Sequence, residues 1–192
     1  MSDIPRLFGT SGIRGEYQKK ITLELAMDVA RALAKYIGGK GKTVVIGHDT
    51  RTTGKIIEHV MIAGLLQSGC NVLKLGMVPT PTVGYATLKK QADAGIMITA
   101  SHNPSQYNGI KLWNADGLAY KQNQEREIEK LVYEKDFNIV GWDEIGEEYD
   151  IASFKDEYVD DIIKVSEIDP NKPLKVVVDC ASGAGSYLSP KA

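Results

Sequence analysis

The sequence is poor in cysteine, nearly neutral in net charge, and without any long apolar run. Its two cysteines, Cys70 and Cys180, are too few for a disulfide framework and form no C-x-x-C pair. With 23 lysines and arginines against 25 aspartates and glutamates, the formal net charge is −2. This balance does not support a basic nucleic-acid-binding protein. No stretch approaches the roughly 18 apolar residues that a transmembrane helix needs.

The beginning of the chain, MSDIPRLFG, lacks the apolar segment of a secretory signal peptide. We therefore expect a cytoplasmic protein with no membrane partner. Each cysteine lies beside an apolar, strand-like run, so we interpret both as small buried hydrophobic residues. Hydrophobic residues make up 43% of the chain, which is too many for a disordered segment and enough for a packed core.

Short β-branched runs alternate with helical patterns along most of the chain. Leu25, Val29, Leu33 and Ile37 form an apolar stripe that predicts a helix, with Thr22 as its N-cap. The alternation is typical of βαβ units, so we predict an α/β fold with a mixed, mostly parallel sheet flanked by helices. Helices are predicted over 22–37, 54–68, 82–90 and 122–134, strands over 43–47, 71–76 and 94–100, and a hairpin from 109–113 and 118–120.

The pattern changes beyond Lys135, where an acidic segment leads to a predicted amphipathic helix over 154–165. The polar segment 166–173 contains prolines and is typical of a linker. After it, LKVVVDC over 174–180 has the composition of a buried strand. We predict a first domain over 1–165 and, over 174–192, the first strand and glycine-rich loop of a second α/β domain whose remainder is missing.

Nineteen glycines, about 10% of the chain against an average of ~7%, are concentrated in a few loops. Glycines at the carboxyl ends of strands let backbone N–H groups approach an anion. Arg14, Arg51 and Lys111 each add a cation to one such loop, which predicts a site for a phosphorylated substrate. For any single loop, a tight turn without a ligand stays an alternative. The loops are FGTSGIRG (8–15), GHDTRTTG (47–54), TASHNPSQYNGIK (99–111) and DCASGAGS (179–186).

The standard nucleotide-binding motifs are absent from the sequence. Gly41-Lys42-Thr43 resembles the end of a Walker A loop, but Tyr36 stands where that motif needs its first glycine. The first loop spaces its glycines as G-x-x-G-x-x-G, and no G-x-G-x-x-G fingerprint is present. A generic nucleotide-binding domain is therefore disfavoured.

The third loop contains side chains that could carry out chemistry. Ser101 follows a buried strand and precedes the turn signal Asn103-Pro104. In an extended segment Ser101 and His102 point to opposite sides, so His102 is a poor candidate for activating Ser101 as in a hydrolase. A serine can instead carry a phosphoryl group, and Lys111 could reach back to it. Alternatively, Ser101 is a turn former and His102 a satisfied polar residue.

Together these motifs resemble the α-D-phosphohexomutase family of phosphoglucomutases, phosphomannomutases and phosphoglucosamine mutases. TASHNP followed by NGIK is similar to the family's phosphoserine loop, and FGTSGIRG and GHDTRTTG are similar to its first two loops. VVVDCASGAGS is similar to the strand that opens its second domain. The matches follow the family's order and cover essentially the whole chain. The resemblance implies a longer enzyme with several domains.

The resemblance also implies a reaction and roles for individual residues. Ser101 would be a phosphoserine that donates its phosphoryl group to a hexose monophosphate, and the bisphosphate would reorient and return its other phosphoryl group. Lys111 and Arg14 would contact phosphoryl oxygens, with Lys111 also transferring a proton, and His102 would line the pocket. The predicted phosphate-binding residues are Thr10, Ser11, Arg51 and Asn103.

The implied cofactors are Mg²⁺ and a sugar 1,6-bisphosphate activator. A phosphate oxygen on Ser101 would be one magnesium ligand, but the family's D-G-D-x-D metal loop is absent from this sequence. We interpret Asp49 and Asp116 as turn residues. Since Mg²⁺ needs carboxylates as well, we expect these 192 residues alone to lack mutase activity. The resemblance does not distinguish between glucose, mannose and glucosamine phosphates as the substrate. The alternative to a mutase is a non-catalytic module that binds a phosphosugar or a partner.

Overall fold

A computed structural model describes residues 4–166 and 175–192. The strands within these ranges are β1 (Phe8–Gly9), β2 (Gly12–Glu16), β3 (Thr43–His48), β4 (Asn71–Met77), β5 (Ala94–Ile98), β6 (Tyr107–Asn114) and β7 (Glu148–Asp150). The helices are α1 (Leu23–Ile37), α2 (Gly54–Leu66), α3 (Thr80–Lys89), α4 (Gln122–Glu134) and α5 (Phe154–Val165), with a short 3₁₀ turn over Ala184–Ser186.

The strands form one sheet in the order β1-β2-β6-β5-β3-β4-β7. One half is parallel, with β3 between β5 and β4 and with β7 beside β4. The other half is antiparallel, from β5 through β6 and β2 to β1. The predicted α/β class with a mixed sheet flanked by helices is confirmed. The antiparallel half is larger than predicted, because β1 and β2 are too short and too rich in glycine to show a strand pattern.

Two hydrophobic clusters lie on opposite faces of the sheet. The larger lies beneath α1, α2 and α4, and the smaller lies beneath α3 and α5. Strand β3 contributes to both, since Val44 and Ile46 point to the larger cluster and Val45 to the smaller. This is the two-sided burial that a short β-branched run predicts. Within the described ranges, no helix has the length and apolar content to cross a membrane.

The helix ends agree closely with the predicted signals. Thr22 caps α1, its Oγ1 accepting a hydrogen bond from the Leu25 N–H at 3.1 Å, and Gly38 ends the helix in the left-handed region at φ 107°. The predicted helices over 122–134 and 154–165 match α4 and α5. The predicted hairpin is only partly formed, because 118–120 contributes a single bridge, between Ala119 and Trp113, beside the longer β6.

The predicted buried strand over 174–180 is wrong for the part that the structure describes. Residues 175–180 form no strand, and Val177 is 91% exposed. A strand needs a hydrogen-bonding neighbour, and no strand of the described sheet pairs with this segment. Residue 174 and the predicted linker from 167 onward lie outside the described residues. The division into two domains stays a prediction.

The two cysteines differ in environment. Cys70 is fully buried, and burial raises the pKa of its thiol to about 12, as the hydrophobic interpretation predicts. Cys180 is partly exposed, so the same interpretation is wrong there. The reason is that the segment around Cys180 has no sheet to pack against in the described part of the chain.

A buried carboxylate on α4 holds the beginning of the first glycine-rich loop. Glu129 Oε1 accepts hydrogen bonds from the N–H groups of Leu7 and Phe8 at 2.8 and 2.9 Å. Its other oxygen pairs with Arg126 at 2.9 Å, although the Glu129 side chain has no exposed surface. Strand β1 is therefore fixed to α4 by charge-assisted hydrogen bonds rather than by a long strand ladder.

We predict that Glu129→Ala lowers the free energy of unfolding by about 3 kcal/mol, because it leaves one buried and one partly buried N–H group without an acceptor and removes the partner of a cation. Urea denaturation measures the change. Glu127→Ala, at an exposed position of the same helix, is the matched control and is expected to change stability by about 0.5 kcal/mol or less. Equal losses in the two variants would contradict the anchoring role of Glu129.

Candidate active site

The second and third glycine-rich loops meet at the carboxyl edge of the parallel half of the sheet. The second follows β3 and the third follows β5, and these strands are neighbours. The Asp49 N–H donates to the Ile98 carbonyl at 3.0 Å where both strands end. The first loop reaches the same sheet through β2, which pairs with β6. The fourth loop lies apart, in the segment whose Lys191 contacts Asp156 on α5.

Ser101 lies in a turn three residues after the end of β5 at Ile98. Its φ of 58° is in the left-handed region, and its side chain is exposed. The expectation that Ser101 and His102 lie in an extended segment and point apart is therefore wrong. The turn brings Ser101 Oγ to 3.4 Å from Nδ1 of His102.

Arg51 makes contacts other than those predicted for it. A guanidinium group has five N–H donors, and all five have an acceptor within the protein. Nε donates to Oδ2 of Asp49 at 3.2 Å, and the other four donors reach backbone carbonyls of the third loop. The predicted phosphate contact would break at least one of these bonds. The carbonyl acceptors, at 2.7 to 2.9 Å, belong to Ser101, Asn103, Pro104 and Tyr107.

Asp49 and Thr99 complete this network, a part that the sequence pattern did not predict. Asp49 Oδ1 accepts from the Arg51 backbone N–H at 3.0 Å, which is the predicted turn role. Its Oδ2 also accepts from Thr99 Oγ1 at 2.6 Å, and Thr99 Oγ1 in turn accepts from the Ser101 N–H at 2.9 Å. The only signal in the sequence is the spacing: Asp49 lies two positions before Arg51, and Thr99 lies two positions before Ser101.

An open cavity of about 340 Å³ lies beside this network. Ser101, Asn103 and Arg51 line it together with Thr52. The structure thus brings three of the predicted site residues to one cavity, with the Ser101 hydroxyl exposed to it.

Arg14 and Lys111 lie on adjacent strands, where two glycines leave space for them. A Cβ on Gly12 would lie 2.9 Å from Lys111 Cγ, and a Cβ on Gly109 would lie 3.0 Å from Arg14 Cγ. The same Cβ atoms would lie even closer to the neighbouring strand, at 2.5 Å from the Ile110 carbonyl oxygen and 2.4 Å from the Ile13 carbonyl oxygen. A side chain at either glycine would therefore collide with the backbone first and with a cation next. Arg14 and Lys111 lie on paired strands, close enough for the charge of Arg14 to act on Lys111, and we call them the cation pair.

The cation pair has the electrostatics of an anion site. The pKa of Lys111 is lowered, first by burial and then by the charge of Arg14. Arg14 Nε is buried and has no hydrogen-bond partner among the described residues. Over residues 4–166 and 175–192 neither side chain forms an ion pair with a carboxylate. Two neighbouring cations without an acidic partner favour binding of a phosphate group.

The predicted residues of the first loop lie beside Lys111 and not beside Ser101. Thr10, Ser11 and Lys111 line a smaller cavity of about 110 Å³. On β5, Met97 is the residue opposite Lys111, so Lys111 lies upstream of the Ser101 turn along the sheet. The candidate site therefore consists of two patches on neighbouring strands, one around Ser101 and one around the cation pair.

The described residues do not by themselves form a magnesium centre. They contain no group of three or more histidine, cysteine, aspartate or glutamate side chains placed to hold a metal ion. The carboxylate nearest to Ser101 in the network, that of Asp49, is already occupied by Arg51 and Thr99. A metal at the predicted ligand Ser101 would need further ligands from outside these ranges.

A family model described as phosphoglucomutase/phosphomannomutase, alpha/beta/alpha domain I, matches residues 5–139 of this chain. The chain belongs to the phosphoglucomutase/phosphomannomutase family. The matched range contains both patches of the candidate site, and it confirms the resemblance noted in the sequence.

Named relatives support this membership. The chain is 82% identical over its full length to a probable phosphoglucosamine mutase of Methanosphaera stadtmanae, of which it covers 42%. It is 54% identical over 97% of its length to a probable phosphoglucosamine mutase of Methanobrevibacter smithii, of which it covers 41%. This member of the family therefore spans about two fifths of the length of these curated relatives.

Solved structures agree with the fold. A phosphoglucomutase/phosphomannomutase family protein from Burkholderia thailandensis is similar with a TM-score of 0.82 and 28% identity, over 96% of this chain and 41% of that protein. A putative phosphomannomutase from Thermus thermophilus is similar with a TM-score of 0.68 and 33% identity, over 84% of this chain and 36% of that protein.

We predict that Arg14→Gln raises the pKa of Lys111, because it removes the positive charge that disfavours the ammonium form. An NMR titration of the Lys111 side chain measures the change. Lys130→Gln removes one exposed positive charge from α4 and is the control; it is expected to leave the pKa of Lys111 unchanged. A Lys111 that titrates at the same pH with and without Arg14 would contradict the coupling of the cation pair.

Proposed function

We propose that this protein is, or is part of, a phosphohexomutase in which Ser101 carries the transferred phosphoryl group. The observation that carries the proposal is the position of Ser101, an exposed serine held in a left-handed turn at the carboxyl edge of the sheet. The cation pair on the adjoining strands supports it, since positive charge offsets the charge of a transferring phosphoryl group. Family membership supports the reaction class.

In the proposed reaction, the bond between phosphorus and Ser101 Oγ breaks as phosphorus bonds to the free hydroxyl oxygen of a hexose monophosphate. The hydroxyl gives its proton to neutral Lys111, and Ser101 Oγ takes up a proton from solvent as it leaves. The lowered pKa of Lys111 makes this neutral form more accessible near neutral pH. The sugar bisphosphate then reorients and returns its other phosphoryl group to Ser101. The Ser101 hydroxyl releases its proton to solvent in this step, and Lys111 returns its proton to the sugar oxygen that is freed. The net change is transfer between the 1- and 6-positions of the sugar.

We further propose glucosamine phosphate as the substrate, because the relatives that share 82% and 54% identity carry the name probable phosphoglucosamine mutase. Glucose and mannose phosphates are the alternatives that the family name offers. A sugar 1,6-bisphosphate would load the serine. Mg²⁺ belongs to the proposal as a cofactor with a phosphate oxygen on Ser101 as one ligand. The proposed location is the cytoplasm.

The test uses the full-length protein that contains this chain, incubated with glucosamine or glucose 1,6-bisphosphate. Mass spectrometry is expected to find phosphate on Ser101. Ser101→Ala is expected to lower mutase turnover by about 10³-fold or more, because it removes the group that forms the covalent intermediate. Glucosamine, glucose and mannose phosphates are compared as substrates.

Ser105→Ala removes another exposed hydroxyl from the same loop and is the control; phosphate on Ser101 is expected to persist in it. Undiminished turnover in Ser101→Ala would refute the proposal. A full-length protein that binds hexose phosphates but never carries phosphate on Ser101 would support a non-catalytic phosphosugar-binding module instead.

A further inference from the structure

We infer that Arg51 is a positioning residue, which holds the Ser101 turn in its reactive shape and makes no contact with the substrate phosphate. The inference rests on the proposed function of Ser101. It replaces the phosphate-binding role that the GHDTRTTG loop predicts for Arg51. Asp49 and Thr99 belong to the same hydrogen-bond network that positions Ser101.

The carbonyl groups of the third loop need a positively charged hydrogen-bond donor between them, and Arg51 is that donor. Four of its carbonyl oxygens converge on the Arg51 guanidinium from a stretch of only seven residues, 101–107. Without a donor at their centre these carbonyl dipoles would repel one another and lose their hydrogen-bond partner. The backbone of the loop itself contributes little, with one bond from Asn103 N–H to the Ala100 carbonyl and one from Tyr107 N–H to the Pro104 carbonyl.

Ser101 is the residue that most needs this support. Its left-handed φ of 58° is unfavourable for a residue with a Cβ, and a glycine there would carry no hydroxyl. The structure fixes both polar backbone groups of Ser101. Its N–H donates to Thr99 Oγ1 at 2.9 Å, and its carbonyl accepts from an Arg51 Nη at 2.9 Å.

The two supports share one carboxylate oxygen. Asp49 Oδ2 accepts from Arg51 Nε at 3.2 Å and from Thr99 Oγ1 at 2.6 Å, so it orients both side chains that bind the backbone of Ser101. The ion pair is well shielded, because the side chains of Arg51 and Asp49 are only 10% and 16% exposed. Shielding from water strengthens the hydrogen bonds of such a network.

The hydrogen bonds of Arg51 distinguish a positioning role from a phosphate-binding role. A phosphate ligand would need free donors on Arg51, and all five already have acceptors within the loop and Asp49. Lysine keeps the positive charge but has three donors on a single nitrogen and cannot reproduce the planar fork. Arg51→Lys is therefore a sharp test, because a phosphate-binding role tolerates the change better than a positioning role does.

We expect Arg51→Lys in the full-length protein to lower kcat by about 10²-fold through misplacement of Ser101, with KM for the hexose phosphate changed by about threefold or less. Hydrogen exchange of the amides over 101–107 is expected to become faster, which is a readout independent of activity. Added guanidinium is expected to restore part of the turnover of Arg51→Ala. Lys55→Gln, which removes an exposed cation at the start of α2, is the control.

Thr99→Val tests the same inference if Arg51→Lys does not fold. It removes the acceptor of the Ser101 N–H while keeping the shape of the side chain, and the same loss of kcat with little change in KM is expected. Thr99→Ser retains the hydroxyl and is expected to recover the activity.

A raised KM with unchanged kcat in Arg51→Lys, or an unchanged exchange rate over 101–107, would overturn the positioning role. In either case phosphate on Ser101 of the unaltered protein would leave the proposed function standing. Absence of that phosphate in the unaltered protein would refute the proposed function itself.

Discussion

The geometry of the Ser101 loop depends on one carboxylate oxygen. Asp49 Oδ2 accepts hydrogen bonds from Arg51 Nε and Thr99 Oγ1, and these two side chains hold the carbonyl and the N–H of Ser101. Asp49 follows β3, whereas Thr99 follows β5, so the carboxylate joins the ends of two parallel neighbours. Four hydrogen bonds of 2.6 to 3.2 Å therefore connect the ends of these two strands to Ser101 and hold its unfavourable backbone conformation.

The antiparallel half of the sheet supplies the charge. Arg14 on β2 and Lys111 on β6 lie on paired strands, close enough for the charge of Arg14 to act on Lys111. This arrangement costs electrostatic energy in the absence of an anion, since neither cation has an acidic partner in the described ranges and the pKa of Lys111 is lowered. Such a cost is expected where a protein keeps charge available for a ligand. Glu129 holds the start of β1, the strand that pairs with β2.

The described residues present a serine, cations and loop donors, but no cluster of metal-binding side chains. The chain spans about two fifths of the length of its curated relatives. The exposed valines of the 175–180 segment have the composition of a strand without a sheet to join in the described part. The composition of a segment can favour the strand conformation, but only a neighbouring strand can pair with its backbone N–H and carbonyl groups.

The sequence by itself determined the α/β class, the limits of α1, α4 and α5, and the family, because these follow from local periodicity, capping residues and motif order. It also singled out Ser101, Arg14, Lys111 and Arg51. Tertiary structure decided what they contact. The left-handed turn that brings His102 to Ser101, the short strands β1 and β2, and the use of all five Arg51 donors within the protein depend on residues far apart in the chain. A charged side chain in a loop shows in the sequence that it can bind an anion, but only the folded chain shows whether its donors are already occupied.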